Sequence, residues 1–374
     1  MSKHNDAKEI PPRAGRTEPF PSGKLTFLSP KPLPTGLPPV DHAHAIGEVN
    51  DAYLEFGTGV PSAFSWQATL GGPFGVFIML AFITPLGIAG IGLLQGVGMV
   101  RAIEAFWQLF DYMWWIAVAG GLGALFLAYL PRWQAHGHLM YKVPTRFHRQ
   151  RREACFVPKG EKAPIVVPWE DLVAWVTEAR GVTEYGVQRQ YGFGFGFYHP
   201  DTGEKYTLEY ETYGLAQAIS NWEAIRAYME YEVHTLKEIQ DPLDLQGPDD
   251  PPWEGVHVFR NARKRLHQQY RDGEAGIFYF AGWYLYHVMT FWTIPNRLVE
   301  WEANKIKTLT HRAVPEQMAE WSEALPESDW SKPSDELTRL SRKVREKQQA
   351  QPSRLPQEVF AEVYAGEGNE VISA

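Results

Sequence analysis

Cysteine is nearly missing from this 374-residue chain, where Cys155 stands alone. One thiol excludes an internal disulfide, and without a pair of cysteines there is no zinc knuckle. Cys155 therefore reads as a small apolar filler rather than a nucleophile. A basic balance is missing too: 36 Lys and Arg against 44 Asp and Glu leave a net charge of −8. That argues against a dedicated nucleic-acid binder, whose domain is normally basic. The chain has no GxSxG elbow, no HExxH and no Walker-type phosphate loop, so no common catalytic motif is encoded. An apolar secretory core behind a basic start is also lacking in the first sixty residues.

Charge is absent from one long stretch, and here the absence is informative. Phe56 to Val100 contains no Asp, Glu, Lys or Arg. Within it, "FGVFIMLAFITPLGIAGIGLLQGVGMV" (Phe74 to Val100) is long enough to cross a hydrocarbon layer of ~30 Å, which takes about 20 residues. Pro85 should bend this segment, as spanning helices tolerate. After an amphipathic linker, "RAIEAFWQLFD", comes "YMWWIAVAGGLGALFLAYL" (Tyr112 to Leu130), with Trp114 and Trp115 at one end and Tyr129 and Trp133 at the other. Aromatic residues at both ends mark two membrane interfaces. The expected arrangement is a transmembrane helical hairpin over residues 70–133. Gly92 with Gly96, and Gly120 with Ala124, have the spacing that permits close helix approach within the hairpin or in a homo-oligomer.

Orientation follows from the flanking cations. Arg132, Lys142, Arg146, Arg149, Arg151 and Arg152 follow the second segment with no acid among them, whereas the linker sets Arg101 against Glu104 and Asp111. The positive-inside bias puts the region after Leu130, and with it both termini, in the cytoplasm.

The remaining segments are read from pattern. Residues 1–60 are expected to be a disordered proline-rich arm. Residues 140–237 read as a small antiparallel α+β domain. In it "RFHRQRREACFV" makes two short strands around a charged turn, "WEDLVAWVTEA" places Trp169, Leu172, Val173 and Val176 at helical spacing, and "GFGFGF" is a packed strand rather than a phosphate loop. "GLAQAISNWEAIRAYMEYEVHTL" closes the domain as an amphipathic helix. This element order resembles the pleckstrin-homology-like barrels of bacterial membrane proteins. Residues 238–325 read as helical, with a basic helix carrying Arg260, Arg263, Lys264 and Arg265. It leads into a charge-free aromatic segment, residues 275–295, that either lies in the interface or forms a third span. Residues 326–374 are expected to be a polar tail.

The fold class expected is thus an α+β membrane protein: a transmembrane hairpin followed by a small antiparallel β-sheet domain closed by helices. One pattern also resembles a family. Pro144, Arg146, Phe147, Arg149, Arg151 and Arg152, followed by Trp169, Asp171 and Leu172, resemble the P-x-R-F-N-R-x-R-R … W-[ED]-D-L signature of two-span bacterial inner-membrane proteins encoded near type VI secretion effector genes. His148 stands where that pattern has asparagine. The terminal "IPNRLVEWEANKIKTLTHRAVPEQMAEW" is similar to the family's closing helix, so the resemblance covers roughly residues 70 to 325.

The resemblance implies an inner-membrane immunity or accessory protein whose partner is an adjacent effector or another secretion component. The motif that carries the resemblance, together with the cations, gives the expected contact surface for a partner or for lipid: Arg146, Phe147, Arg149, Arg151, Arg152, Trp169, Asp171, Arg260, Arg263, Lys264 and Arg265. The alternatives are a scaffold reading anionic headgroups and a membrane-associated enzyme. His136 and His138 lack a third ligand at metal spacing, Glu170 and Asp171 read as helix-capping acids, and no cofactor, metal or nucleic acid is expected.

Overall fold

A computed structural model describes residues 12–59, 61–139, 143–158, 163–183, 186–198, 205–240, 245–247, 249–251 and 253–373. In chain order the strands and helices begin with β1 (Thr17–Phe20), β2 (Gly23–Phe27), β3 (Ile46–Val49) and β4 (Tyr53–Phe56). Then come α1 (Ala63–Ile78), α2 (Thr84–Leu94) and α3 (Met99–Leu139), with a π-helical turn, Met79–Ile83, joining the first two. Strands β5 (Thr145–His148), β6 (Glu153–Phe156), β7 (Ile165–Pro168), β8 (Val173–Thr183), β9 (Gly186–Tyr198) and β10 (Lys205–Thr212) follow. The remainder is helical: α4 (Leu215–Met229), α5 (Leu236–Ile239), α6 (Val256–Arg271), α7 (Ile277–Met289), α8 (Ile294–Ala313), α9 (Glu316–Trp321), α10 (Asp335–Ala350) and α11 (Pro356–Ser373).

The chain divides into two units. The first gathers Met1–Val60, Lys142–Pro242 and Thr310–Ala374; the second takes Pro61–Tyr141 and Leu243–Leu309.

In the first unit two five-stranded antiparallel sheets run in the orders β1-β2-β8-β9-β10 and β3-β4-β5-β6-β7. Phe193, Phe195 and Phe197 of β9 all point into the core. The glycines between them face the other way, where a Cβ on Gly194 would stand 2.6 Å from the Trp175 ring. That alternation makes GFGFGF a strand packed closely on its neighbour. Helix α4 lies in the same core, with Ile219, Trp222, Ile225 and Met229 buried.

Three expectations are corrected here. Residues 12–59 are not a disordered arm. Strand β2 pairs with β8, β4 pairs with β5, and Leu28, Leu33, Ile46, Leu54 and Phe56 are buried in the common core. Most of the prolines fall in the 30–39 connection, and α4 ties that segment down: Glu223 Oε2 accepts from Thr35 N (3.0 Å) and Asn221 Oδ1 from Ala43 N (3.2 Å). Sparse apolar residues suffice because their partners are supplied from far along the chain. Nor does WEDL open a helix. Trp169–Asp171 is a single 3₁₀ turn and Val173 onward is β8, because pairing with both β2 and β9 overrides a spacing that suits either structure. Finally, the polar tail contains two helices. Leu337, Leu340 and Val344 of α10 and Val359, Phe360 and Val363 of α11 line one core with the sheets.

In the second unit the hairpin turn is at Gln95–Gly98, with Gly96 at φ +87°, so the expected 101–111 linker is the start of α3. At about 1.5 Å per residue the 41-residue α3 is about 60 Å long, roughly twice a hydrocarbon core. Two helical stretches, Ala63–Leu94 and Met99–Gly137, are long and apolar enough to cross a membrane, and only 17% and 6% of their most apolar windows are buried. Gly120 and Gly121 let the two approach, since Cβ atoms there would meet Leu80 Cδ1 at 3.0 Å and Phe77 Cβ at 3.2 Å. The aromatic 275–295 segment holds the 13-residue α7, about 20 Å long, which falls short of a span.

If the C-terminal helices belong to the core, Leu340→Ala should cost about 2–5 kcal/mol. Urea unfolding of the purified full chain in detergent, followed by tryptophan emission, checks this. A loss below about 0.5 kcal/mol, the scale of a surface substitution, would return residues 335–373 to the status of a tail.

Candidate functional site

The arginines between β5 and β6 are spent inside the first unit. Arg146, 3% exposed, stands opposite Glu55 in the β4–β5 register and Cys155 in the β5–β6 register. Its Nε donates to Glu55 Oε1 (2.9 Å), another guanidinium nitrogen donates to Ser322 Oγ (2.8 Å), and the group stacks 4.3 Å over the Tyr53 ring. Arg149, equally buried, lies between the rings of Tyr228 and Tyr231 and donates to the Asp51 carbonyl and carboxylate (both 3.0 Å). Arg152, at φ +55°, reaches Glu230 with two bonds (2.8 and 3.2 Å), and Trp169 Nε1 donates to the same carboxylate (3.1 Å). Arg151 caps the Trp321 carbonyl (3.0 Å).

The two aromatics of the pattern are core residues. Phe147 packs edge-on against Trp169 and Phe195, and Trp169 stacks on Trp222 at 5.1 Å. Asp171 is exposed, and it is Glu170 that is engaged. Burial opposes ionisation of Glu170, but bonds from Ser334 and Lys31 win and hold its carboxyl below the usual range. Burial pushes the Cys155 thiol up to about 12, which disfavours the thiolate.

The expected headgroup contacts at Arg146, Arg149 and Arg152 are thereby corrected. These guanidiniums are desolvated and already engaged by acceptors of the same unit rather than presented to lipid, and withdrawing Arg146 would strand the buried Glu55. Arg260, Arg263, Lys264 and Arg265 lie on α6 in the second unit, all exposed, and make no ion pair among the described residues. The structure therefore does not gather the expected contact residues into one site.

A cluster that sequence reading missed lies at the open end of the helical hairpin. Glu302 of α8 is 6% exposed. It accepts from Arg132 of α3 (2.9 and 3.0 Å), from Trp66 Nε1 of α1 (2.7 Å) and meets His136 Nε2 (3.1 Å). Lys305 Nζ stands 3.3 Å from His136 Nδ1. A lysine can only donate there, which fixes the proton on Nε2, facing Glu302. Arg132 also stacks 4.0 Å over Trp66. Both carboxylate oxygens are thus occupied, so the arrangement is a clamp on three helices rather than a free general base. An apolar cleft of about 580 Å³ lined by Trp66, Leu70, Leu122, Phe126, Leu298 and Trp301 lies beside it. The available signal was an acid on an apolar stripe: Glu302 follows Leu298 by four residues and Val299 by three. Its partners, 166 to 236 positions away, carry no local signature.

Among the described residues no group of three or more His, Cys, Asp or Glu could hold a metal ion. No protein-family model, curated protein or solved structure matches the chain.

Removing one member of the clamp should be worse than neutralising both. Glu302→Ala is expected to lower stability by roughly 3–5 kcal/mol, and Arg132→Gln with Glu302→Gln by clearly less. Thermal unfolding of the full chain in detergent decides this. A double variant no better than the single one would mean that the charges are not coupled.

Proposed function

We propose that the chain is a membrane-anchored, non-catalytic binding protein of a bacterial inner membrane, with its α+β unit in the cytoplasm. The observation that carries this reading is a parity constraint. Residues 17–56, 145–229 and 335–363 contribute to one core, so all three lie on one side of any membrane. The chain between Phe56 and Thr145 must then cross an even number of times, which two apolar helices satisfy. The chain between α4 and α10 must also return to its starting side, so the lone segment at 275–295 does not cross. The cations after Leu130 make that side the cytoplasm.

The order of elements supports a pleckstrin-homology-like reading of the first unit. Four strands (β4 to β7), three more (β8 to β10) and a closing helix (α4) follow one another, and the hairpin is inserted between the first two. An association with type VI secretion rests on the resemblance in the arginine and WEDL patterns. Because most residues of that pattern are buried, sharing it implies sharing a fold; the partner, an effector or secretion component, would be met by other surfaces.

If the chain is an immunity protein, expressing the effector encoded beside it in a strain lacking this gene should arrest growth. The full chain should restore growth, and a chain lacking residues 63–139 should not. Normal growth without the chain sinks immunity, and full rescue by the hairpin-less chain sinks the need for an anchor.

A further inference from the structure

Helix α6 carries Arg260, Arg263, Lys264, Arg265 and Arg271 and not one acid, in a chain with eight more acids than bases. All five are exposed. At 3.6 residues per turn, Arg260, Arg263, Lys264 and Arg271 share a sector of roughly 100° beside the buried stripe of Phe259 and Leu266. Cations flanking an apolar stripe are what a helix lying in a membrane interface presents. Among the described residues none of the five is paired with a carboxylate. Asp272 and Glu274, in the turn after α6, are the only acids between Val256 and Met289.

The partner helix supplies the apolar half. Helix α7 has no charged residue and none that is buried. Phe278, Tyr279, Leu285, Val288 and Met289 are between 58% and 91% exposed. Its inner face holds α6 through Phe259 on Trp283 (5.5 Å), Phe280 on Tyr270 (4.8 Å) and a bond between His267 and Tyr284 (2.8 Å).

Depth follows from the contacts with α1. The start of α6 is held at the level of the Glu302 clamp, where Glu254 accepts from Ala63 N and Val256 N donates to Glu300 (2.8 Å). The turn after α7 lies deeper: Phe291 packs on Phe74 at 5.4 Å, eight residues along the helix from Trp66, or about 12 Å. The first turn of α6 meets that same turn, Phe259 packing on Trp292 at 4.9 Å and on His287 at 5.2 Å, so α6 and α7 lie side by side and the cations border the apolar face.

We propose that the α6–α7 hairpin is a docking surface for anionic phospholipid of the leaflet that holds the clamp, α7 entering the acyl layer and the α6 cations taking phosphate headgroups. This rests on the reading of the α1–α3 hairpin as a membrane anchor. Each surface cation near an anionic leaflet is worth about a fivefold gain in local partition, so four acting together amount to a factor on the order of 10² to 10³.

The test uses the full chain in nanodiscs, with Cys155→Ser and with Gln268→Cys labelled by an environment-sensitive fluorophore. In discs containing phosphatidylglycerol the probe should shift to the blue and be protected from acrylamide, and part of that protection should disappear in high salt. In discs of phosphatidylcholine alone it should stay exposed. Changing Arg260, Arg263, Lys264 and Arg271 to Gln should abolish the difference, and changing the three arginines to Lys should keep it. Equal quenching in the two lipids, or a four-Gln variant that behaves like wild type, overturns the proposal. Resistance of the same protein to carbonate extraction is scored separately. A chain that washes out of the bilayer defeats the anchor reading and this inference together, whereas a retained chain with no lipid dependence defeats this inference alone.

Discussion

The constraint on which the structure depends is that one hydrophobic core is assembled from three distant pieces of chain. Strand β2 is hydrogen-bonded to β8 and β4 to β5, while Leu337 and Phe360 close over the same interior. Each of these pieces supplies strands or helices that the others pack against. On the proposed membrane reading, topology follows from this packing, because a continuous core cannot be divided by a bilayer. The apolar hairpin becomes an insertion between two neighbouring strands, and the aromatic segment before α8 has to return to the side it left.

Charge serves this assembly in two separate places. In the first unit Arg146, Arg149 and Arg152 pin β4, the loop before it and the end of α4 to one tight turn. Buried pairs of this kind add little net stability over a well-packed apolar replacement, but losing one partner is severe, so they select one register among several. In the second unit Glu302 does the same for α1, α3 and α8, and Arg132 adds bonds to Ser65 and Thr69 of α1. On the proposed membrane reading the apolar helix pair has no hydrophobic drive to associate, and a carboxylate that takes both bonds from one Arg132 nitrogen, with Trp66 and His136 beside it, supplies a fixed point.

Elements whose signal is local were legible in the sequence. The apolar runs, the phenylalanine alternation in β9 and the stripe of α4 fix structure within a few residues, and all three are present. What was not legible is what depends on distant partners. Residues 12–59 look too rich in proline for structure until β8 and β5 are there to pair with. The Leu337, Leu340 and Val344 stripe is hidden among the charged residues of α10. WEDLVAWV fits helix and strand periods alike, and its neighbours on both edges decide for strand. The arginine pattern was conspicuous but misleading about role, since clustered cations next to an apolar segment look like headgroup ligands unless their carboxylate partners are known. Glu302 was the reverse: a single acid on an apolar stripe, inconspicuous until Arg132, Trp66 and His136 converge on it.

The most direct measurement is the side of the membrane from which each part of the shared core can be reached. Single cysteines at Ser22, Gln95 and Gln351, all exposed positions, can be placed in a chain carrying Cys155→Ser. With an impermeant maleimide on intact cells with a permeabilised outer membrane, Gln95→Cys should label, and Ser22→Cys and Gln351→Cys should label only after lysis. Labelling of Ser22→Cys and Gln351→Cys from opposite sides would contradict the common core, and labelling of both from outside would contradict the cytoplasmic placement.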